Sequence, residues 1–440
     1  MSLSKKLLTG AIVSSLGGLL FGFDTAVISG AEQGLKGFFE LDAIAHGFTN
    51  SIALIGTIIG AIFAYIPAER WGRKKSLLVI GAFFGLSALG CAFTSSWELF
   101  LFYRFLGGLG VGASSVIAPM YISEISPSSH RGRLVGLFQF SIVFGILLAF
   151  ISNYFLKIQI TVDAWRWMLG VEALPALLFF LLTFFIPRSP RWLIIKGNDK
   201  DGLRVLSELG DDSPNETFKR IKDSLNHKRV KESLFQKKYF KPILLVFLMA
   251  TFNQFSGINA IMYYAPRIFE MSGIGEDSAF LQAASVGFVN MVFTVFAMTL
   301  IDKIGRKKLM LWGSIGMIIS LIFSTVFLNE SGIGKGLLII PILVFIASFA
   351  FSQGAVIWVF ISEVFPNRVR ASGQSFGTFV HWFWAATLTW LFPIVATLPN
   401  GGSYAFGFFA FAMVLQLLFV LKLFPETKGK TLEDDINSSL

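Results

Sequence analysis

Asp24, in Gly17-Gly18-Leu19-Leu20-Phe21-Gly22-Phe23-Asp24-Thr25, and Arg104, in Phe102-Tyr103-Arg104-Phe105, are ionisable residues inside apolar runs of this 440-residue chain. Even on a forgiving insertion scale, a charge at the centre of a membrane helix costs about 2.5–3.5 kcal/mol, so each must face a cavity or a partner. Two lone opposite charges on two helices are expected to find each other. One reading is a structural ion pair. The other is a proton carrier: a carboxylate beside a guanidinium holds its charge, and the same carboxylate buried without it takes up a proton. A pair that forms and breaks links proton binding to a change of shape.

A second polar group lies in Asn253-Gln254-Phe255-Ser256-Gly257-Ile258-Asn259-Ala260-Ile261-Met262-Tyr263-Tyr264. Its amides fall where hydrocarbon would not tolerate them unpaired. Asn259 and Tyr263 sit one turn apart and share a helix face. Gln254 and Asn259 would point roughly 140° apart on a regular helix. For both to face one cavity the helix must unwind, and Gly257 between them allows it. Broken helices at mid-membrane are where transporters bind substrate. Amides suit a polyol, because each offers two donors and an acceptor. Amides that only glue helices together are the alternative.

The elements that must position these groups are read from composition. The chain is 54% hydrophobic and only 15% charged, too little charge to cover a soluble surface. About 20 apolar residues cross a bilayer as a helix. Twelve such segments lie near residues 8–30, 48–68, 77–95, 99–121, 134–156, 167–187, 242–265, 280–301, 309–328, 337–361, 372–397 and 403–424. Lipid leaves the backbone no other partner, so these are helices; the short alternating segments of a β-barrel are not seen. The first follows Lys5-Lys6 but is too long for a signal peptide and lacks a clear cleavage site, so it is read as a retained helix.

One stretch occurs twice. Glu69-Arg70-Trp71-Gly72-Arg73-Lys74-Lys75 is echoed by Asp302-Lys303-Ile304-Gly305-Arg306-Lys307-Lys308, a little over half the chain later. Such a repeat points to a transporter of two related halves. The halves echo again where Ile122-Ser123-Glu124 precedes Arg131 and Ile361-Ser362-Glu363 precedes Arg370. Glu69, Arg73, Glu124, Arg131, Asp302, Arg306, Glu363 and Arg370 together read as gate charges on the cytoplasmic face. Basic charge alone would enforce topology, so the repeated acids point to ion pairs between helices.

With both termini cytoplasmic, the great majority of the 37 Lys and Arg fall inside, against Lys36, Lys157, Arg166, Arg267 and Lys335 outside. The net charge of +10 thus needs no nucleic-acid partner, which would want it gathered on a soluble domain. Cys91 is the only cysteine, and His46, His130, His227 and His381 are scattered, so no disulfide and no metal site is expected. No nucleophile–base set or phosphate loop argues for an enzyme. Gly107-Gly108-Leu109-Gly110-Val111-Gly112 looks phosphate-like but lies in a membrane segment, where small residues allow close helix packing.

These motifs, with Tyr103-Arg104, Arg131-Gly132-Arg133, Pro187-Arg188-Ser189-Pro190-Arg191-Trp192, Gln254 to Tyr264 and Pro425-Glu426-Thr427-Lys428-Gly429, resemble the sugar porter family of the major facilitator superfamily over about residues 8–435. The resemblance is to its bacterial proton-coupled monosaccharide symporters. It implies an all-α membrane protein of twelve helices in two pseudo-symmetric six-helix bundles, residues 1–187 and 242–425. A cytoplasmic helical linker spans 188–241, where Ser213-Pro214-Asn215-Glu216 reads as a helix start followed by Phe218, Ile221 and Leu225 at helical spacing, and a tail spans 426–440. It implies sugar-binding roles for Gln139, Gln254, Asn259, Gly354, Trp358 and Trp382, and an extracellular gate at Tyr263 and Tyr264. Asn253 and His381 stand where the family usually has glutamine and are expected to change which hydroxyls are read. Arg188 stands where the family usually has Glu, which bears on the gate contacts of the first half.

The expected function is import of a monosaccharide, a hexose such as glucose, with a proton by alternating access, Asp24 and Arg104 providing the coupling. The alternatives are a facilitative uniporter, a symporter of a pentose such as xylose, and a sugar sensor. Animal facilitative carriers lack an acid at the Asp24 position, and sensors typically carry a long signalling tail. No cofactor is expected beyond the coupling proton. The expected partners are the sugar and the bilayer, in the cell membrane, and the chain is expected to work as a monomer.

Overall fold

The computed structural model describes residues 4–127, 130–226, 232–329, 336–366 and 368–428, with side chains omitted at 224–226. Lys335, the Leu225 side chain, residues 227–231 of the linker, and Gly429 with the rest of the tail lie outside the described residues. Among the described residues every element is a helix. The first half runs α1 (Lys5–Phe38), α2 (Ala43–Phe63), α3 (Tyr65–Arg70), α4 (Arg73–Phe93), α5 (Trp97–Ile125), α6 (Arg131–Gln159), α7 (Ala164–Gly170) and α8 (Ala173–Thr183). The linker carries α9 (Pro190–Ile195), α10 (Asp199–Glu208) and α11 (Pro214–Asn226). The second half runs α12 (Phe240–Phe255), α13 (Ile258–Met271), α14 (Glu276–Ile304), α15 (Arg306–Phe327), α16 (Ile339–Phe351), α17 (Gln353–Glu363), α18 (Arg370–Ala396) and α19 (Gly401–Lys422).

Among the described residues, 12 helical stretches are long and apolar enough to cross a membrane. They match the twelve expected segments. Eight are single helices; the pairs α2–α3, α7–α8, α12–α13 and α16–α17 supply the others. Two of these interruptions, and a kink within α13, show in the backbone. Gly257 takes the left-handed conformation (φ 87°) between α12 and α13, which side chains with a Cβ rarely adopt. Ser352, at φ −116° and ψ −88°, breaks α16 from α17. Inside α13, Tyr264 leaves helical geometry (φ −133°, ψ 22°) two residues before Pro266, which lacks an N–H and crowds the preceding turn.

The chain forms two compact units. The first comprises Met1–Thr25, Ile55–Ile146 and Arg166–Arg229; the second comprises Ala26–Leu54, Leu147–Trp165 and Val230–Leu440. In the first, α4 packs on α5 and α8, burying Leu77, Phe84, Ile117 and Phe179. In the second, α15 packs likewise on α16 and α19, over Leu309, Met310, Phe360 and Phe419. The helix after each Gly-Arg-Lys-Lys therefore holds the same place in its own unit. The glycine row of α5 serves packing: a Cβ on Gly112 would come within 2.1 Å of the Thr57 carbonyl oxygen on α2. Side chains such as Leu86, Phe288 and Phe411 are exposed, as befits surfaces solvated by lipid tails.

Candidate transport site

Asp24 on α1 and Arg104 on α5 meet in the first unit. Arg104 Nη1 donates to Asp24 Oδ1 at 2.7 Å, and the two side chains are 3% and 1% exposed. Gly107, one turn past Arg104, lets Ser87 pack beside them: a Cβ there would come within 2.4 Å of Ser87 Oγ and 3.5 Å of Asp24 Oδ1. Sequence reasoning missed a third member. Glu172 is buried at the joint between α7 and α8 and interacts electrostatically with both Asp24 and Arg104. Its Oε1 has no hydrogen-bond partner among the described residues. The signal was present, a lone acid in Gly170-Val171-Glu172-Ala173-Leu174, and matches the one that marked Asp24.

The second unit gathers the amides. With the helix broken at Gly257, Asn259 Nδ2 donates to Gln254 Oε1 at 2.6 Å, the approach a continuous helix would forbid. Gln254 Nε2 in turn donates to Asn253 Oδ1 at 3.1 Å and lies 3.1 Å from Nε2 of His381 on α18. A ring nitrogen that accepts from an amide is neutral. The His381 ring sits 4.8 Å from the Trp358 ring and 4.9 Å from that of Trp382. Trp358 is 38% exposed, leaving much of an indole for stacking, whereas Trp382 is buried. Gly354, one turn before Trp358, is half-buried in the first turn of α17. Asn253, Gln254, Asn259, Trp358, His381 and Trp382 thus form one continuous group. Gln139 belongs to the first unit, half-buried on α6.

Tyr263 and Tyr264 are both buried. Tyr264 Oη donates to the Thr389 carbonyl at 2.9 Å and accepts from Asn50 Nδ2 at 3.1 Å.

The repeated charges form matching pairs. Arg73 Nη2 donates to Glu124 Oε1 at 2.7 Å, and Arg306 Nη2 to Glu363 Oε1 at 2.9 Å. A hydroxyl completes each carboxylate: Ser189 Oγ to Glu124 Oε2 at 2.6 Å, Thr427 Oγ1 to Glu363 Oε2 at 2.5 Å. Arg306 also reaches the exposed Asp302 at 3.1 Å. Arg131 and Arg370 donate to backbone carbonyls, Arg131 Nε to Ser123 and Arg370 Nε to Phe365, each at 3.2 Å. Glu69 is exposed, and its carbonyl accepts from Trp192 Nε1 at 2.9 Å. The halves differ also at the start of the helix after each hinge. Glu426 accepts from the backbone amides of Arg306 and Lys307 at 3.0 and 3.1 Å, capping α15. Its counterpart by motif, Arg188, is exposed and lies close enough to repel Lys74 at the start of α4.

Two repeated halves, a buried ion pair in a spanning helix and an amide group at a helix break are the architecture of a secondary transporter. The chain belongs to the sugar (and other) transporter family of the major facilitator superfamily, whose pattern it matches over residues 10–437. It is 37% identical over 464 residues to the D-xylose-proton symporter of Escherichia coli strain K12, covering 96% of this chain and 94% of that one. It is 37% identical over 450 residues to the glucose transport protein of Synechocystis sp., covering 96% and 95%. The inward-open structure of the E. coli xylose transporter XylE superposes with a TM-score of 0.88 at 34% identity, covering 98% of this chain and 99% of that one.

Proposed function

We propose that this protein imports a monosaccharide together with a proton by alternating access, acting as a monomer in the cell membrane with both termini cytoplasmic. The buried Asp24–Arg104 pair, closed at 2.7 Å, carries the reading. Removing one partner of a buried pair leaves an uncompensated charge. If Arg104 withdraws during the cycle, Asp24 must find a proton instead, and the return of Arg104 expels it. One proton moving down 100 mV supplies about 2.3 kcal/mol, enough for roughly fifty-fold accumulation at about 1.4 kcal/mol per tenfold. Glu172 adds a second carboxylate within electrostatic reach of the same guanidinium.

In this reading Gln139, Asn253, Gln254, Asn259 and His381 bind sugar hydroxyls. Trp358 and Trp382 contact the apolar face of the ring, and Gly354 leaves room for it. Tyr263 and Tyr264 gate the outer side, and the Arg73–Glu124 and Arg306–Glu363 pairs, with Glu69, Arg131, Asp302 and Arg370, hold the cytoplasmic side. Residues 1–187 and 242–425 are the functional halves, 188–241 the linker and 426–440 a tail. The substrate is a hexose such as glucose. A pentose such as xylose is the second reading, favoured by the relative named as a D-xylose-proton symporter.

The test is Asp24→Asn in liposomes with an internal pH dye. Uphill accumulation is expected to vanish while sugar counterflow continues, because an amide mimics the protonated acid. Undiminished uphill uptake by the variant refutes the assignment.

A further inference from the structure

The second unit buries an acid–base pair that the transport reading does not use. Glu32 lies on α1 and His46 on α2; each is 1% exposed, and His46 Nε2 stands 2.7 Å from Glu32 Oε2. Arg267 Nη1 lies 3.7 Å from the same oxygen, and Gln33 Nε2 donates to Glu32 Oε1 at 2.6 Å. The other charged groups facing this cluster are Glu270 on α13, Glu276 on α14 and Lys157 on α6, the last two paired at 2.5 Å. Among the described residues, α18 brings the Thr389 carbonyl and the Phe392 ring to Tyr264, the ring stacked at 5.0 Å.

The pair is placed to control one movable piece. His46 and Asn50 are a turn apart on α2 and so share a face. Asn50 holds the Tyr264 hydroxyl, and Glu32, held by His46, faces Arg267. Tyr264 is the kink of α13, and Arg267 lies three residues beyond it. The segment from Tyr264 to Met271 is therefore gripped at its kink from α2 and again one turn on from α1. A buried polar pair is a poor stabiliser compared with apolar packing of the same volume, but it specifies one arrangement sharply. The closed arrangement brings Glu32 and His46 together without hydrogen-bond alignment: Glu32 Oε2, both His46 ring nitrogens and Asn50 Oδ1 have no hydrogen-bond partners among the described residues. Unpartnered buried polar atoms are a cost that opening would relieve. Such a contact closes well and is poised to release.

We propose that Glu32 and His46 are positioning residues: their pair is the latch that keeps the Tyr264–Met271 segment shut against α1 and α2. This rests on the reading of Tyr264 as a gate in a sugar transporter. Releasing the latch shifts the population toward the state open on the Tyr264 side, and apparent affinity for a ligand rises with the fraction of competent state.

The experiment uses the full chain with Cys91→Ser and a reporter thiol at Ala265→Cys, a buried position next to Tyr264. Labelling by a membrane-impermeant maleimide from the Tyr264 side is expected to accelerate about fivefold or more in Glu32→Gln and in His46→Gln. The double variant should add little, because both lesions break one contact. His46→Arg, which places a donor and a positive charge opposite Glu32, should label at the parent rate. External KM for radiolabelled D-glucose and D-xylose should fall in the variants that label faster. Parent-rate labelling in Glu32→Gln that elutes as folded protein overturns the latch, and so does accelerated labelling in His46→Arg. Should Glu32→Gln not fold, Glu32→Asp, which draws the carboxylate back from His46, takes its place under the same criteria. A parent that takes up neither sugar refutes the transport reading, while the labelling still decides the latch.

Discussion

His381 shows what a single side chain decides. Imidazole offers one donor and one acceptor, as the amide of glutamine does, but on a rigid ring. The ring is wedged between Trp358 and Gln254, so its hydrogen-bonding direction is set by stacking as well as by the amide. In the proposed reading its contact with Gln254 places it in hydroxyl recognition, and the proton stays with Asp24. His381→Gln is accordingly expected to reorder affinities among monosaccharides by about 1–3 kcal/mol, the cost of leaving a buried polar group unpaired, while proton-driven accumulation persists. Competition of a sugar panel against labelled glucose measures the first, and the internal pH dye the second. A variant with its sugar ranking intact and its accumulation lost would move His381 to the proton path.

At the scale of elements, the two helices after Gly-Arg-Lys-Lys occupy matching positions but start differently. Both begin after a glycine of positive φ, Gly72 at 82° and Gly305 at 96°. Only α15 has a carboxylate over its exposed amides. Burial pushes the Glu426 carboxyl up, but the amides of Lys428, Arg306, Lys307 and Thr427 outweigh it and hold its pKa below the ordinary 4.5. A depressed carboxylate contributes stability above its unfolded pKa and loses it as pH falls through the folded one. Glu426→Ala should therefore cost about 1 kcal/mol near neutral pH, the worth of a helix cap, with parent and variant converging below pH 4.5. In the first half the sign reverses. Arg188→Glu would bring a carboxylate to the positive end of α4 in place of a repelling cation, and should stabilise by about 0.3–1 kcal/mol at low salt. Thermal melts in detergent at several pH values and salt concentrations test both; a destabilised Arg188→Glu would show that the halves are not interchangeable at this contact.

For the whole molecule, the uneven spread of basic residues sets the expected direction of insertion. The linker helices α9 to α11 carry many of these charges, and Val162, between α6 and α7, is 75% exposed on the expected outer side. In a Cys91→Ser background, Val162→Cys should react with an impermeant maleimide in intact cells. Lys200→Cys, on α10, should react only after permeabilisation. The reverse pattern would invert the orientation and, with it, the sides assigned to the tyrosine and arginine gates.

Twelve spanning helices, their division into two related halves and the family were legible in the residues themselves. Apolar length and the cost of a buried charge are properties of a local stretch, and a repeat needs only comparison of the chain with itself. The same logic marked Asp24 and Arg104 as partners, since each was a lone charge in a spanning helix. What the residues left open was adjacency. Periodicity tells which face of a helix a side chain is on, not which neighbour that face meets. Thus Arg73 and Arg306 meet Glu124 and Glu363, as expected of the gate charges, whereas Arg131, seven residues after Glu124, turns its Nε to the Ser123 carbonyl. His46, read as one of four scattered histidines, lies against Glu32 because α1 and α2 fold back on each other beside α13. Glu172 joins the Asp24–Arg104 pair only because α8 packs on α4 and the chain breaks at the joint before it. Those neighbours are set by long-range packing, which close approach of helices through small residues makes specific and which no single segment encodes.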